Sequence, residues 1–75
     1  MWKKISTDLL EEIYPGRIIT NNPDSEDFYE VQYIHWGYVN AIPANGKIAI
    51  KVFPERELIR GNWWVRYETK EGNTL

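Results

Sequence analysis

Residues 28–53 read FYEVQYIHWGYVNAIPANGKIAIKVF, and this stretch decides the fold. Its side chains alternate with a period of two, which is typical of strands in a sheet with one buried face. Gly37 indicates a bulge or bend, and Pro43-Ala44-Asn45-Gly46 predicts a four-residue turn. We therefore predict an antiparallel hairpin in which residues 38–42 pair with residues 47–53.

The length of the turn sets the pairing of this hairpin, because each added loop residue shifts one strand along the other. A four-residue turn predicts these cross-strand pairs: Ala41 with Ile48, Val39 with Ile50, Tyr38 with Lys51 and Trp36 with Phe53.

The same alternation divides the aromatic residues between two faces of the sheet. The chain contains four tryptophans, five tyrosines and two phenylalanines, and such rings bury large areas in cores and at interfaces. We assign His35 and four rings to the core face: Tyr29, Tyr33, Trp63 and Tyr67. Phe28 and Ile34 belong to the opposite face, where we expect a binding surface that consists of Trp36, Tyr38, Lys51, Phe53, Trp64 and Arg66.

Short elements flank the hairpin. Residues 7–14 predict a helix, since Ser6 or Thr7 can cap it and Leu9, Leu10 and Ile13 recur at helical spacing before Pro15-Gly16. The remaining elements that we predict are a strand at residues 17–20, a loop at 21–27, one helical turn at 54–59 and a last strand at 62–68.

This order of elements predicts an α+β fold. We expect a small antiparallel sheet or half-open barrel of four to five strands, with the short N-terminal helix packed on it. An SH3-like barrel also has a short helical turn before its last strand, and it is an architectural analogy for this order. A chain of 75 residues corresponds to a single domain spanning residues 1–75, with residues 70–75 as a frayed polar tail.

The composition argues against most catalytic chemistry. The absence of cysteine excludes cysteine nucleophiles and cysteine-based zinc sites. His35 is the only histidine, and Ser25 lacks the sequence context of a nucleophile elbow. Glu11 and Glu12 point in different directions on a helix, so they form a poor acid–base pair. We expect no catalytic residue, no metal and no cofactor.

Three acidic residues lie in the predicted loop at residues 21–27, namely Asp24, Glu26 and Asp27. They form either a solvated loop or an acidic contact for a basic partner surface. A divalent-cation loop is a third interpretation, but the spacing of an EF-hand is missing.

Charge and hydropathy limit the range of partners. The net charge is −2; residues 1–30 carry three basic and seven acidic side chains, and residues 31–75 carry six and four. Nucleic-acid binding by phosphate neutralisation requires more positive charge, so we do not expect it. No apolar run reaches the roughly 20 residues of a membrane span. A cysteine-free chain suits a reducing compartment, and we expect a cytoplasmic protein.

These observations favour a small soluble, non-catalytic binding protein that acts through protein–protein contact. We expect an inhibitor, adaptor or regulator, a kind of protein often found on mobile elements, whose partner is another protein or a second copy of the chain. The alternative is a ligand-binding module on which bases of single-stranded nucleic acid, a nucleotide or a sugar stack. Either function requires that the N-terminal helix leaves some rings uncovered.

Overall fold

The computed structural model of the chain describes residues 1–46 and 49–67. Its elements, in chain order, are β1 (Trp2–Lys4), a 3₁₀ helix (Thr7–Glu12), β2 (Ile18–Thr20), β3 (Phe28–His35), β4 (Tyr38–Pro43), β5 (Lys51–Pro54), α1 (Glu55–Arg60) and β6 (Trp64–Arg66). All pairings are antiparallel, and they form one sheet in the order β1-β6-β2-β3-β4-β5. Consequently, β1 and β5 are the two edges of this sheet.

The structure agrees with an α+β class built on a small antiparallel sheet, but the predicted architecture is wrong. An open sheet of six strands replaces the four- to five-stranded, SH3-like half-open barrel. The additional strand is β1, in which Trp2 pairs with Arg66 and Lys4 pairs with Trp64. Three residues are too few to show a period, so the sequence pattern does not reveal this strand.

The predicted N-terminal α-helix is also wrong, because residues 7–12 wind as a 3₁₀ helix. The Leu9 amide donates to the Ser6 carbonyl at 2.9 Å and the Ile13 amide donates to the Leu10 carbonyl at 3.1 Å. No side chain caps this helix. Three residues per turn do not align the predicted apolar stripe, and only Ile13 is buried whereas Leu9 and Leu10 are half-buried.

The α-helix that the described residues form is α1, at the position where the sequence predicts one helical turn. Pro54 precedes it as the N-cap residue, and the Gly61 amide closes its last turn on the Glu57 carbonyl at 2.8 Å. Leu58 is fully buried. It joins one hydrophobic core with the following buried residues: Ile5, Ile13, Ile19, Val31, Val39 and Val65.

A β-bulge in β3 changes which side chains face this core. The pairing of β3 with β4 runs through Val31 and Ala41 and then resumes at Tyr33 and Asn40, so Gln32 is an extra residue. One extra residue shifts the alternation by one position, and each later side chain of β3 exchanges faces.

The bulge corrects the predicted assignment of three residues. Ile34, which we predicted on the opposite face, packs against the core. Tyr33 and His35, which we predicted on the core face, are exposed. Tyr29 precedes the bulge and packs against the core as predicted, as do Trp63 and Tyr67.

The register of β4 with β5 also differs from the prediction. Val39 faces Phe53 instead of Ile50, and Tyr38 faces Pro54 instead of Lys51. This shift of three residues is odd, so it reverses the inward and outward positions of β5. Phe53 therefore faces inward with Val39.

The other two predicted pairs are corrected by the same register. Ala41 pairs with Lys51, and its predicted partner Ile48 lies outside the described residues. Trp36 does not pair with Phe53. Residues 70–75 and the predicted strand end at Glu68 also lie outside the described part of the chain.

The inward-facing rings form one cluster around Phe53. Its ring centroid lies 4.7 Å from that of Trp63 and 5.4 Å from that of Tyr29, and the planes are inclined in both pairs. Inclined aromatic pairs stabilise a core by about 0.5–1.5 kcal/mol beyond the area that they bury. In a chain this short, these rings supplement a small set of aliphatic side chains.

Arg17 connects the 3₁₀ helix to the segment that follows β6. Its guanidinium lies 4.9 Å from the ring centroid of Tyr14 and 4.7 Å from that of Tyr67. It also contacts a Glu12 carboxylate oxygen at 3.2 Å, while its Nε donates to the Glu12 carbonyl at 3.0 Å. Burial raises the pKa of the Tyr67 hydroxyl above its usual value of 10.0, and the Glu12 carboxylate raises it as well, whereas Arg17 lowers it.

The raised pKa of Tyr67 predicts a loss of stability in alkali. The fold favours the protonated hydroxyl, so its contribution is complete below about pH 10 and is lost as the pH rises through the folded-state pKa. Urea unfolding of the wild type and of Tyr67→Phe on both sides of that pH measures this contribution. We expect a steeper decline for the wild type; parallel declines would contradict the shift.

A pair of leucine substitutions tests which helix covers the core. Leu58→Ala removes a fully buried side chain of α1, and we expect it to lower the free energy of unfolding by about 2–5 kcal/mol. Leu9→Ala in the half-buried 3₁₀ helix makes the same chemical change and should cost about 1 kcal/mol or less. Urea unfolding measures both values, and equal losses would contradict the packing described.

Candidate binding surface

The outer side of β3, β4 and the β5 edge carries an exposed and mainly aromatic surface. Trp36 is 85% exposed, Val52 53%, Tyr33 50% and Tyr38 46%, and His35 is exposed beside them. These five residues are called the hairpin surface below. Large exposed apolar patches are uncommon on monomeric proteins and mark interaction sites.

Strand pairing places these side chains in neighbouring rows. Asn40 faces Tyr33 on one side and Val52 on the other, so one row crosses three strands. His35 faces Tyr38 in the next row. Residues that are directly opposite each other in a ladder share a face of the sheet. A groove of about 480 Å³ lies among them and extends to Trp36.

Trp36 has an unusual backbone conformation. It forms with Gly37 the two-residue turn between β3 and β4, and the two φ angles are 54° and 77°. Two successive positive φ angles are typical of a type I′ turn, in which Asn-Gly is favoured. A bulky residue in this region costs on the order of 1–3 kcal/mol. Burial of the Trp36 ring offsets little of this cost, because the residue is 85% exposed. Its ring centroid lies 5.6 Å from that of His35.

A second, smaller groove of about 240 Å³ lies beside Trp36, on the side of α1. Glu55 and Arg56 line it together with Pro54, and the Glu55 amide donates to the Gly37 carbonyl at 3.0 Å. The hairpin surface therefore has an aromatic centre with charged residues at its border. This distribution is typical of protein–protein interfaces.

The structure brings together two of the six residues that we predicted as a binding surface. Trp36 and Tyr38 belong to the hairpin surface, whereas Phe53 lies in the inner ring cluster. Lys51 is exposed but pairs with Ala41, which places it on the inward-facing row of β5.

The other two predicted residues, Trp64 and Arg66, lie on β6, which β2 separates from β3. Trp64 is half-buried. The Arg66 guanidinium lies 5.9 Å from the ring centroids of both Trp2 and Phe28, and these two rings are 5.1 Å apart. Arg66 is thus occupied in a local cation–π cluster.

Three members of the hairpin surface were not among the predicted surface residues: Tyr33, His35 and Val52. The bulge at Gln32 and the odd register of β5 move them outward, and neither feature follows from alternation alone. One sequence signal could have indicated their direction. Trp36-Gly37 lies between two runs of strand-forming residues, and two residues that end in glycine at such a position are typical of a two-residue hairpin turn.

The predicted acidic residues Asp24, Glu26 and Asp27 are all exposed in the loop before β3. The loop is held by short-range hydrogen bonds, in which the buried Thr20 hydroxyl donates to the Asp27 carbonyl at 2.9 Å and the Asp27 amide donates to the Ser25 hydroxyl at 3.1 Å. Within the described residues, no three His, Asp or Glu side chains are grouped to hold a metal ion.

The comparisons identify no relative. The chain matches no protein-family model, no curated protein and no solved structure. Residues 1–46 and 49–67 contain no helix with the length and apolar character that a membrane crossing requires. The proposal for its function therefore rests on the geometry of the described residues.

The strained turn predicts that Trp36 is unfavourable for the fold. Trp36→Asn places the preferred residue at this positive φ angle, and we expect the free energy of unfolding to increase by about 1–2 kcal/mol. Urea unfolding measures the change. Trp64→Asn is the matched control, because Trp64 is half-buried and has no positive φ angle, so it should destabilise. A destabilised Trp36→Asn would indicate that the ring is packed.

Proposed function

We propose that this chain is a small non-catalytic binding protein that acts through protein–protein contact at the hairpin surface. The observation that carries the proposal is Trp36, an 85% exposed tryptophan held in a left-handed turn conformation. Backbone strain and an exposed large ring both disfavour the folded chain by itself. Tryptophan and tyrosine are the residues on which binding energy most often concentrates at interfaces.

The energetic gain from covering this ring is large. A tryptophan buries up to about 250 Å² at roughly 25 cal/mol per Å², so enclosing the exposed part of Trp36 favours association by on the order of 4 kcal/mol before ordering costs. Tyr33 and Tyr38 add two partly exposed rings to the same groove. This surface is carried by three paired strands and a two-residue turn, so little ordering is required on binding.

The chemistry of the surface favours a protein over a nucleic acid. Stacked bases require cations near their phosphates, but the two cations of the predicted binding surface lie elsewhere, Arg66 on β6 and Lys51 on the inward row of β5. Arg56 lines the smaller groove together with Glu55, which offsets its charge. A partner surface with apolar pockets and mixed charges fits this border.

We propose the roles of inhibitor, adaptor or regulator for such a protein, with another protein as its partner. The cytoplasm is the proposed compartment, because the chain has no cysteine that an oxidising compartment would use for stabilisation. Self-association through the same surface is the competing arrangement.

Affinity capture with matched baits tests this proposal. Tyr38 and Tyr14 are both 46% exposed, but only Tyr38 belongs to the hairpin surface. We expect a protein from the native host that the wild type and Tyr14→Thr retain and that Trp36→Asn and Tyr38→Thr lose. Captured proteins that are indifferent to Trp36 and Tyr38 would contradict the proposal.

A fluorescence titration tests the nucleic-acid alternative. We expect the tryptophan emission of the wild type to be unchanged when an oligothymidine is added at low salt, because cations are sparse around Trp36. Quenching that disappears in Trp36→Asn would favour base stacking over protein contact.

A further inference from the structure

Strand β5 is an edge of the sheet and borders the hairpin surface. Among the residues that the structure describes, β5 pairs only with β4, and no other backbone segment hydrogen-bonds to residues 51–53. Val52 lies on this edge and belongs to the hairpin surface, and Ile50, 61% exposed, precedes it. Edge strands with exposed apolar side chains are templates for pairing with another chain.

The alternation of the ladder identifies which backbone groups face outward. His35 and Tyr38 close a two-residue turn, so Tyr38 directs its N–H and C=O toward β3. Successive residues of a strand direct these groups to opposite sides, and Val39 therefore directs its own N–H and C=O toward Phe53 of β5. The bond from the Glu55 amide to the Gly37 carbonyl continues this alternation. Val52 lies between bonded positions, and its N–H and C=O therefore point away from β4.

The other edge strand, β1, has features that oppose pairing with another chain and that β5 lacks. β1 contains Lys3 and Lys4, and lysines on an edge oppose pairing with another chain. The Lys4 ammonium donates to the Gly61 carbonyl at 2.8 Å, and Trp2 packs on Phe28. β5 has a single lysine. The sheet thus has one protected edge and one open edge, and the open edge adjoins the exposed rings.

We propose that the partner contributes an extended segment that pairs with β5 as a seventh strand, with an apolar side chain in the groove between Tyr33, Tyr38 and Val52. The inference rests on the proposed function and specifies the mode of contact. Outward N–H and C=O groups require a partner that offers both acceptor and donor at strand spacing, and an extended polypeptide does so.

Charge indicates the composition of this segment. Lys51 lies on β5, is exposed and forms no ion pair with any described residue. Side chains of an added strand alternate between the two faces of the sheet. The segment that fits has apolar residues facing the Val52 side and an acidic residue opposite Lys51.

A selected peptide and two variants of one position test the inference. Peptides are selected on the immobilised wild-type chain from a phage-displayed library of random 12-residue sequences, and the best binder is synthesised. Val52→Pro removes the outward N–H without removing a bond to β4, and such a proline is tolerated on an edge. Val52→Thr keeps the N–H and the branched shape and serves as the control.

We expect an alternating apolar sequence with an acidic residue. Calorimetry should show binding to Val52→Pro weakened by about tenfold or more through the lost hydrogen bond, with Val52→Thr affected much less. In the wild type, the Val52 amide should also exchange its proton more slowly with solvent when the peptide is bound. Slower exchange at this amide reports a backbone hydrogen bond, which contact between side chains alone would not provide.

The outcomes separate this inference from the proposed function. Binding that depends on Trp36 but not on the Val52 amide would overturn the added strand and leave the proposed function standing. Binding that depends on neither would overturn both. Failure to select any peptide, or concentration-dependent protection of the Val52 amide in the chain alone, which signals pairing between two copies, would also overturn the inference.

Discussion

The extra residue at Gln32 determines which side chains in the second half of β3 are buried. Before it, Tyr29 and Val31 face the core; after it, Ile34 takes that direction and Tyr33 turns outward. Without the bulge, Tyr33 and His35 would face inward and Ile34 outward, because strand side chains alternate strictly. The burial of Ile34 and the exposure of Tyr33 and His35 are thus results of one local irregularity.

The register of β5 with β4 also determines which side chains face inward. It turns Phe53 inward against Trp63 and Tyr29, and it leaves Val52 beside the exposed tyrosines. The inner face is thereby complete with few aliphatic residues, as a small domain requires. The outer face of the hairpin keeps rings that the core does not use, together with a strained turn and an open edge. Each of these features disfavours the folded chain by itself, and such features are often found together at functional sites.

The strands of the fold could be predicted where the alternation is long, as in residues 28–35 and 38–43, and α1 follows from the proline before it. The short β1 and the 3₁₀ winding of residues 7–12 could not, since both depend on tertiary contacts and not on local preference. Trp36 and Tyr38, two residues of the predicted surface, are exposed at or beyond the turn. The outward positions of Tyr33 and Val52 depend on the bulge and on the register of β5, which the alternation alone does not predict.

Photochemically induced dynamic nuclear polarisation on the wild-type chain measures which rings are exposed, because a photoexcited dye polarises only those tryptophan and tyrosine rings that solvent reaches. We expect strong signals from Trp36, Tyr33 and Tyr38, and weak or no signals from Trp63 and Tyr29. Silent Tyr33 and Trp36 rings would contradict the outward direction of the hairpin surface, and strong signals from Trp63 and Tyr29 would contradict the inner cluster.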